Sequence, residues 1–133
     1  IGDWSSDVCS SDLTWHQAGG LMTDPDGREV AQGWAGNHEG KNNPAKQAVH
    51  ELGPLPQGLY KVGQWQDHPH LGHMVSHLEQ IEGETYGRDG FFIHGASKDP
   101  EKLGQESKGC IVIPYQARLK VKDLNPSFIQ VVA

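Results

Sequence analysis

Apolar residues fall along the chain in short runs, and their spacing predicts strands far more often than helices. Alternation in Leu13-Thr14-Trp15-His16-Gln17 and in Gly20-Leu21-Met22-Thr23 predicts two short strands, broken at Ala18-Gly19. Asp24-Pro25-Asp26-Gly27 has proline and glycine where a tight turn needs them. Residues 29–36 then return as a third strand, completing a meander. The polar, glycine-rich stretch 37–46 is expected to be a loop that could line a groove. Residues 47–52 are too few for periodicity to choose between a helical turn and a strand. Gly53-Pro54-Leu55-Pro56-Gln57-Gly58 reads as a rigid turn, and 59–63 as a strand with alternating faces. Residues 66–90 show the least regular pattern. They end in Tyr86-Gly87-Arg88-Asp89-Gly90, a turn feeding the strand Phe91-Phe92-Ile93-His94. A polar connector over 96–106, weakly helical around 100–104, leads to Cys110-Ile111-Val112-Ile113, a strand or a strand-to-helix turn. Pro114 suits the first position of a short helix over 115–124, with Lys120 and Lys122 toward its end. Asn125-Pro126 stops that helix, and Phe128-Ile129-Gln130-Val131-Val132 reads as a closing strand. The expected fold is a mostly β single domain with one or two short helices.

Composition narrows the function. A chain of 133 residues fits one domain with a modest core, and 17 glycines and 8 prolines favour turns and short strands. The mean hydropathy of −0.60 is polar without being that of a disordered chain. A formal charge of −6 with no basic block argues against nucleic acid as a partner. No apolar stretch approaches the roughly 18 to 20 residues that a membrane-spanning helix needs. Residues 1–13 show neither the basic start nor the apolar run of a signal peptide. Action outside the cytoplasm would therefore need another export route or a lost N-terminus.

Residues 1–13 are themselves expected to be foreign. Asp3-Trp4-Ser5-Ser6-Asp7-Val8-Cys9-Ser10-Ser11-Asp12-Leu13 reads as the one-frame translation of a common sequencing-library adapter. The native domain is then expected over 14–133, as part of a gene truncated upstream. Setting aside Asp3, Asp7 and Asp12 takes the acidic count from 17 to 14 and the charge from −6 to about −3. Cys9 drops out too, which leaves Cys110 as the one cysteine and removes a Cys9–Cys110 disulfide from consideration.

The two apolar runs at 91–94 and 110–113 carry the best candidate chemistry. His94 ends one and Cys110 starts the other. A thiol needs a base to become a nucleophile near neutral pH, and imidazole suits that task. A lone cysteine is more often a small buried hydrophobe and a lone histidine a structural residue. The Ile93-His94-Gly95 and Ser107-Lys108-Gly109-Cys110 contexts favour a catalytic pair, because two neighbouring strands can bring such residues within hydrogen-bond reach. His68, His70, His73 and His77 form a rival cluster of possible zinc ligands, but lack a His-Glu-x-x-His spacing or an obvious carboxylate base. Asp67-His68-Pro69-His70 could instead help bind a substrate. Trp34 and Trp65 could stack on sugar rings or belong to the core.

The order of these pieces resembles a known family. Ile93-His94-Gly95 followed by Ser107-Lys108-Gly109-Cys110-Ile111 is similar to the YkuD-type L,D-transpeptidase signature. The wider chain resembles more closely the type VI secretion L,D-transpeptidase effectors, the Tlde family. The resembling segments are Thr14-Trp15-His16-Gln17, Gly33-Trp34-Ala35-Gly36, Gly40-Lys41-Asn42-Asn43-Pro44, 53–60, 87–95 and 109–114. The resemblance implies a β-rich YkuD-like catalytic fold and a cysteine acyl-transfer enzyme acting on peptidoglycan tetrapeptide stems. By that likeness Cys110 is the nucleophile and His94 the base and later the acid. The Gly95 carbonyl would orient the imidazole, and the Gly109 and Cys110 N–H groups would bind the oxyanion. Ser107, Lys108, His70 and Trp34 join them as substrate contacts, with Arg88 or Arg118 meeting a stem carboxylate. Many YkuD enzymes have His before the Gly-Cys pair and Arg soon after it, where this chain has Lys108 and Val112.

The expected activity is L,D-transpeptidase or L,D-carboxypeptidase, releasing or exchanging the terminal D-alanine, with no cofactor and no dedicated metal. As an antibacterial effector the protein would be secreted and act in the periplasm of a target bacterium. Its partners would be stem peptides, an immunity protein and a component of the secretion apparatus. The alternatives are a zinc-dependent cell-wall peptidase built on the His68 to His77 loop, and a non-catalytic wall-binding module.

Overall fold

The computed structural model describes residues 12–97 and 107–133. Among the described residues, eight strands form one sheet: β1 (Leu13–His16), β2 (Leu21–Thr23), β3 (Glu29–Gln32), β4 (Gly58–His68), β5 (Gly72–Gly83), β6 (Phe91–His94), β7 (Ile111–Val112) and β8 (Phe128–Val132). Among the described residues there is one α-helix, α1 (Tyr115–Leu124). The strand order is β3-β2-β1-β8-β4-β5-β6-β7. Trp34, just beyond β3, bridges to Val112 of β7, its N–H donating to the Val112 carbonyl at 3.0 Å and its carbonyl accepting at 2.7 Å. The two ends of the sheet therefore meet, and it curls around its own apolar face. The mostly β expectation holds.

Strand alternation explains the core. Leu13 and Trp15 of β1, Met22 of β2, Tyr60 of β4, Ile93 of β6, and Ile129 and Val131 of β8 point inward into one cluster. Leu13, the last residue of the adapter-like stretch, lies in that cluster and pairs with Ile129. β7 is too short to alternate; Ile111 and Val112 are both fully buried because the strand lies between β6 and the Trp34 bridge. α1 buries Arg118 and Val121 and packs against β3. Asn125 ends it in the left-handed region, φ 48°, with its N–H donating to the Val121 and Lys122 carbonyls.

One region departs from the expectation. Residues 66–90 were expected to be the least regular, yet β4 and β5 form the longest antiparallel pair in the molecule. Three register shifts, between Leu59/Tyr60, Val62/Trp65 and Gln66/His68, break the two-residue alternation. Polar residues cover its solvent face, so the hydrophobic pattern is blurred although the backbone pairing is continuous. Residues 47–52 are neither helix nor strand but turns, and 37–46 holds two 3-10 turns, His38–Gly40 and Pro44–Lys46. The weak helix expected around 100–104 lies outside the described residues.

Candidate active site

β6 and β7 run parallel, with Ile93 paired to Ile111 and His94 to Val112. Cys110 stands immediately before Ile111, with its thiol at the Phe92 backbone. The pairing thus sets His94 at the end of β6 and Cys110 just before the neighbouring strand β7. The Ile113 N–H donates to the His94 carbonyl at 3.1 Å, extending the contact past the strand ends.

His94 is 3% exposed, and its Nδ1 lies 2.8 Å from the Gly95 carbonyl oxygen. A carbonyl only accepts, so Nδ1 carries the proton and Nε2 is the basic nitrogen of the neutral ring. Gly95 has no room for a side chain, since a Cβ there would collide with the guanidinium of Arg118.

Cys110 has a free thiol and is 8% exposed. Its Sγ donates to the Gly90 carbonyl at 3.6 Å. Burial pushes the thiol up to about 11, against the lowering effects of the Phe92 backbone and the Arg88 charge. At rest it is therefore a protonated thiol. It opens on a cavity of about 280 Å³ lined by His50, Glu51, Arg88, Asp89, Gly90 and Lys108.

The segment before Cys110 is shaped by Ser107. Its fully buried Oγ donates to the Cys110 carbonyl at 2.6 Å and accepts from the N–H groups of Gly36 at 2.9 Å and Gly109 at 3.2 Å. Two expectations change as a result. Ser107 is directed into the protein rather than toward a substrate. The Gly109 N–H is bonded to Ser107, so it is not the oxyanion donor it was expected to be. Gly109 has φ 121°, and a Cβ there would stand 2.6 Å from Arg88 Nη2, which is why glycine occupies the position. Asn37, an ordinary polar loop residue by its sequence, is buried and donates to the Ser107 and Glu51 carbonyls, each at 2.7 Å. An asparagine closing Gly33-Trp34-Ala35-Gly36 was the available signal, but nothing local revealed its distant partners.

Both arginines also differ from expectation. The Arg88 guanidinium meets the carbonyls of Gln47, Pro54, Gly53 and Lys108, so its four terminal N–H groups are occupied. Arg118 donates to the carbonyls of Met74 at 3.1 Å, Ile113 at 2.7 Å and His73 at 3.4 Å. Buried and bonded in this way, neither presents its fork to a stem carboxylate. Lys108 remains at the cavity, its exposed Nζ 4.0 Å from Glu51. Trp34 serves the strand bridge, with Lys41 over its ring at 5.1 Å. His70 lies at the β4–β5 turn and does not line the cavity. Of the hairpin histidines, His68 accepts the His70 and Leu71 N–H groups and packs with His77 on the Phe92 ring, and His73 pairs with Asp67 at 2.6 Å. Among the described residues no group of three His, Cys, Asp or Glu could hold a metal ion.

The curled, mostly β sheet thus holds a buried cysteine and a carbonyl-bonded histidine close to two adjacent parallel strands. The chain belongs to the Tlde1 domain family, which it matches over residues 29–127. No curated protein matches it. Among solved structures it is similar to an L,D-transpeptidase from Mycobacterium smegmatis, at 14% identity and a TM-score of 0.46. That similarity covers 91% of this chain and 58% of the other, so the chain spans less than two thirds of its length. No described helix is long and apolar enough to cross a membrane.

Proposed function

We propose that this domain is a peptidoglycan-modifying cysteine L,D-transpeptidase or L,D-carboxypeptidase that works through a Cys110 acyl-enzyme. The observation that carries the reading is the His94 Nδ1 contact with the Gly95 carbonyl beside a buried cysteine. Nε2 is then the ring nitrogen that acts as base toward Cys110, which precedes the neighbouring strand. Because burial favours the neutral thiol, attack is coupled to proton transfer and does not start from a standing thiolate. Sγ bonds to the carbonyl carbon of the L-centre in a stem tetrapeptide while His94 takes the thiol proton. The tetrahedral intermediate collapses, the C–N bond to D-alanine breaks, and His94 returns the proton to the leaving amine. Water then hydrolyses the thioester, or an amine takes the acyl group. The Cys110 N–H is the proposed oxyanion donor, since the Gly109 N–H is bonded to Ser107.

Membership of the Tlde1 family supports a further reading as an antibacterial effector. It would be delivered by a secretion apparatus, act in the periplasm of a target bacterium and be neutralised by an immunity protein. The catalytic domain is proposed over 14–133, with 1–13 of adapter origin.

Incubating purified muropeptides with the wild type, Cys110→Ala and His94→Ala, and reading the products by mass, tests the chemistry. D-Alanine release or exchange is expected from the wild type, with Cys110→Ala inactive and His94→Ala slowed by about a hundredfold or more. Loss of activity with a chelator, and none with Cys110→Ala, would overturn it.

A further inference from the structure

Arg88 occupies a setting uncommon for arginine. It is 6% exposed, in the turn before β6, with its guanidinium over the Phe91 ring at 5.5 Å. Among the described residues no carboxylate lies within ion-pair distance of it. Main-chain carbonyls replace the water instead: Pro54 at 2.8 Å, Gly53 at 2.9 Å, Lys108 at 3.1 Å, and Gln47. Carbonyl dipoles offset the desolvation of a buried cation while leaving its net charge in place. The guanidinium thereby ties the 47–54 segment to Lys108-Gly109, and it packs on Gly109 so closely that a Cβ would stand 2.6 Å from Nη2. It also lines the same cavity wall as Cys110.

We propose that Arg88 is a positioning residue for Cys110, clamping the Lys108-Gly109 turn that presents the thiol and holding a buried positive charge beside it. The inference rests on the reading of Cys110 as nucleophile. Among the described residues, the charged and titratable groups around the thiol are Arg88, His94 and the cavity residues His50, Glu51, Asp89 and Lys108. Lys108 is solvent-exposed and has Glu51 nearby, so its field is screened. Among the described residues, Arg88 is the cation whose field reaches the sulfur through protein. That field acts in the same sense on the thiolate formed by titration at high pH and on the negative charge that develops during attack.

The test is the rate of Cys110 alkylation by iodoacetamide as a function of pH, in the wild type, Arg88→Gln and Arg88→Lys, with a thermal melt of each. Removing the charge should move the midpoint of the Arg88→Gln profile up by about one pH unit, which is about tenfold slower alkylation at a fixed pH below it. Arg88→Lys should move it in the same direction by less, since an ammonium has three donors for four carbonyls and a shorter reach. A purely structural arginine would lower the melting temperature and leave the profile in place. If the profile of whichever variant folds superimposes on the wild type, the proposal is overturned. The readout needs no peptidoglycan, so it judges Arg88 separately from the muropeptide assay that judges Cys110.

Discussion

His94 and the histidines of the β4–β5 hairpin share a side chain and differ in nearly every other respect. His94 is buried at the end of a core strand, with one ring nitrogen assigned by a carbonyl 2.8 Å away. Around it, Ser107, Arg88 and Arg118 fix the backbone through buried hydrogen bonds that reach across the chain. The hairpin tip is richer in imidazole, but the hydrogen bonds of the His68 and His73 side chains are local. His68 caps its own turn and His73 pairs with a nearby aspartate that is as exposed as itself. A density of ionisable side chains does not make a site. Burial makes one, together with partners that leave each group a single orientation.

The contrast can be broken at its strongest point first. Gly95→Ala would push a Cβ into the Arg118 guanidinium, and the expected loss is about 3 kcal/mol in chemical denaturation. A wild-type unfolding curve for this variant would mean that the His94 end of the site is looser than described. The thiol gives the next largest effect. The folded protein keeps the Cys110 proton up to about 11, whereas the unfolded chain loses it from about 9.0. Raising the pH through that window therefore favours unfolding, by at most about 2.7 kcal/mol. Cys110→Ala should lack that component when its stability is compared with the wild type's at pH 8 and pH 11. Parallel pH dependences in the two proteins would show that the thiol is not held neutral by burial.

Ser107→Ala removes one hydroxyl that serves two N–H groups and a carbonyl. It should cost about 1 to 2 kcal/mol in denaturant, because the turn before the cysteine loses its tie. At the other end of the scale, His70→Ala should change stability by less than about 0.5 kcal/mol and leave D-alanine release at the wild-type rate. A large loss of activity in that variant would move the hairpin tip into the site and erase the distinction.

How much was legible in the sequence follows from the same contrast. Features set by local chemistry were readable: the Asp24 to Gly27 turn, β6, the helix beginning after Pro114 and its stop at Asn125, and the closing strand β8. The Cys110 and His94 candidates were readable because their glycine contexts are contiguous in the chain. The β4–β5 hairpin was not, because its register shifts disrupt the alternation that would have announced it. The work of Arg88, Arg118, Ser107 and Asn37 was also hidden. Each is defined by carbonyls or N–H groups many residues away, and a surface arginine and a buried one are the same letter. The Gly109 N–H was misassigned for that reason: its availability depended on where Ser107 pointed.

The central claim is that Cys110 carries the acyl group. Its most direct test is the intact mass of the protein after brief incubation with a tetrapeptide muropeptide and an acid quench. The account predicts an adduct on Cys110 equal to the muropeptide less its terminal D-alanine, found in the wild type and absent from Cys110→Ala. D-Alanine release by Cys110→Ala at the wild-type rate would contradict it.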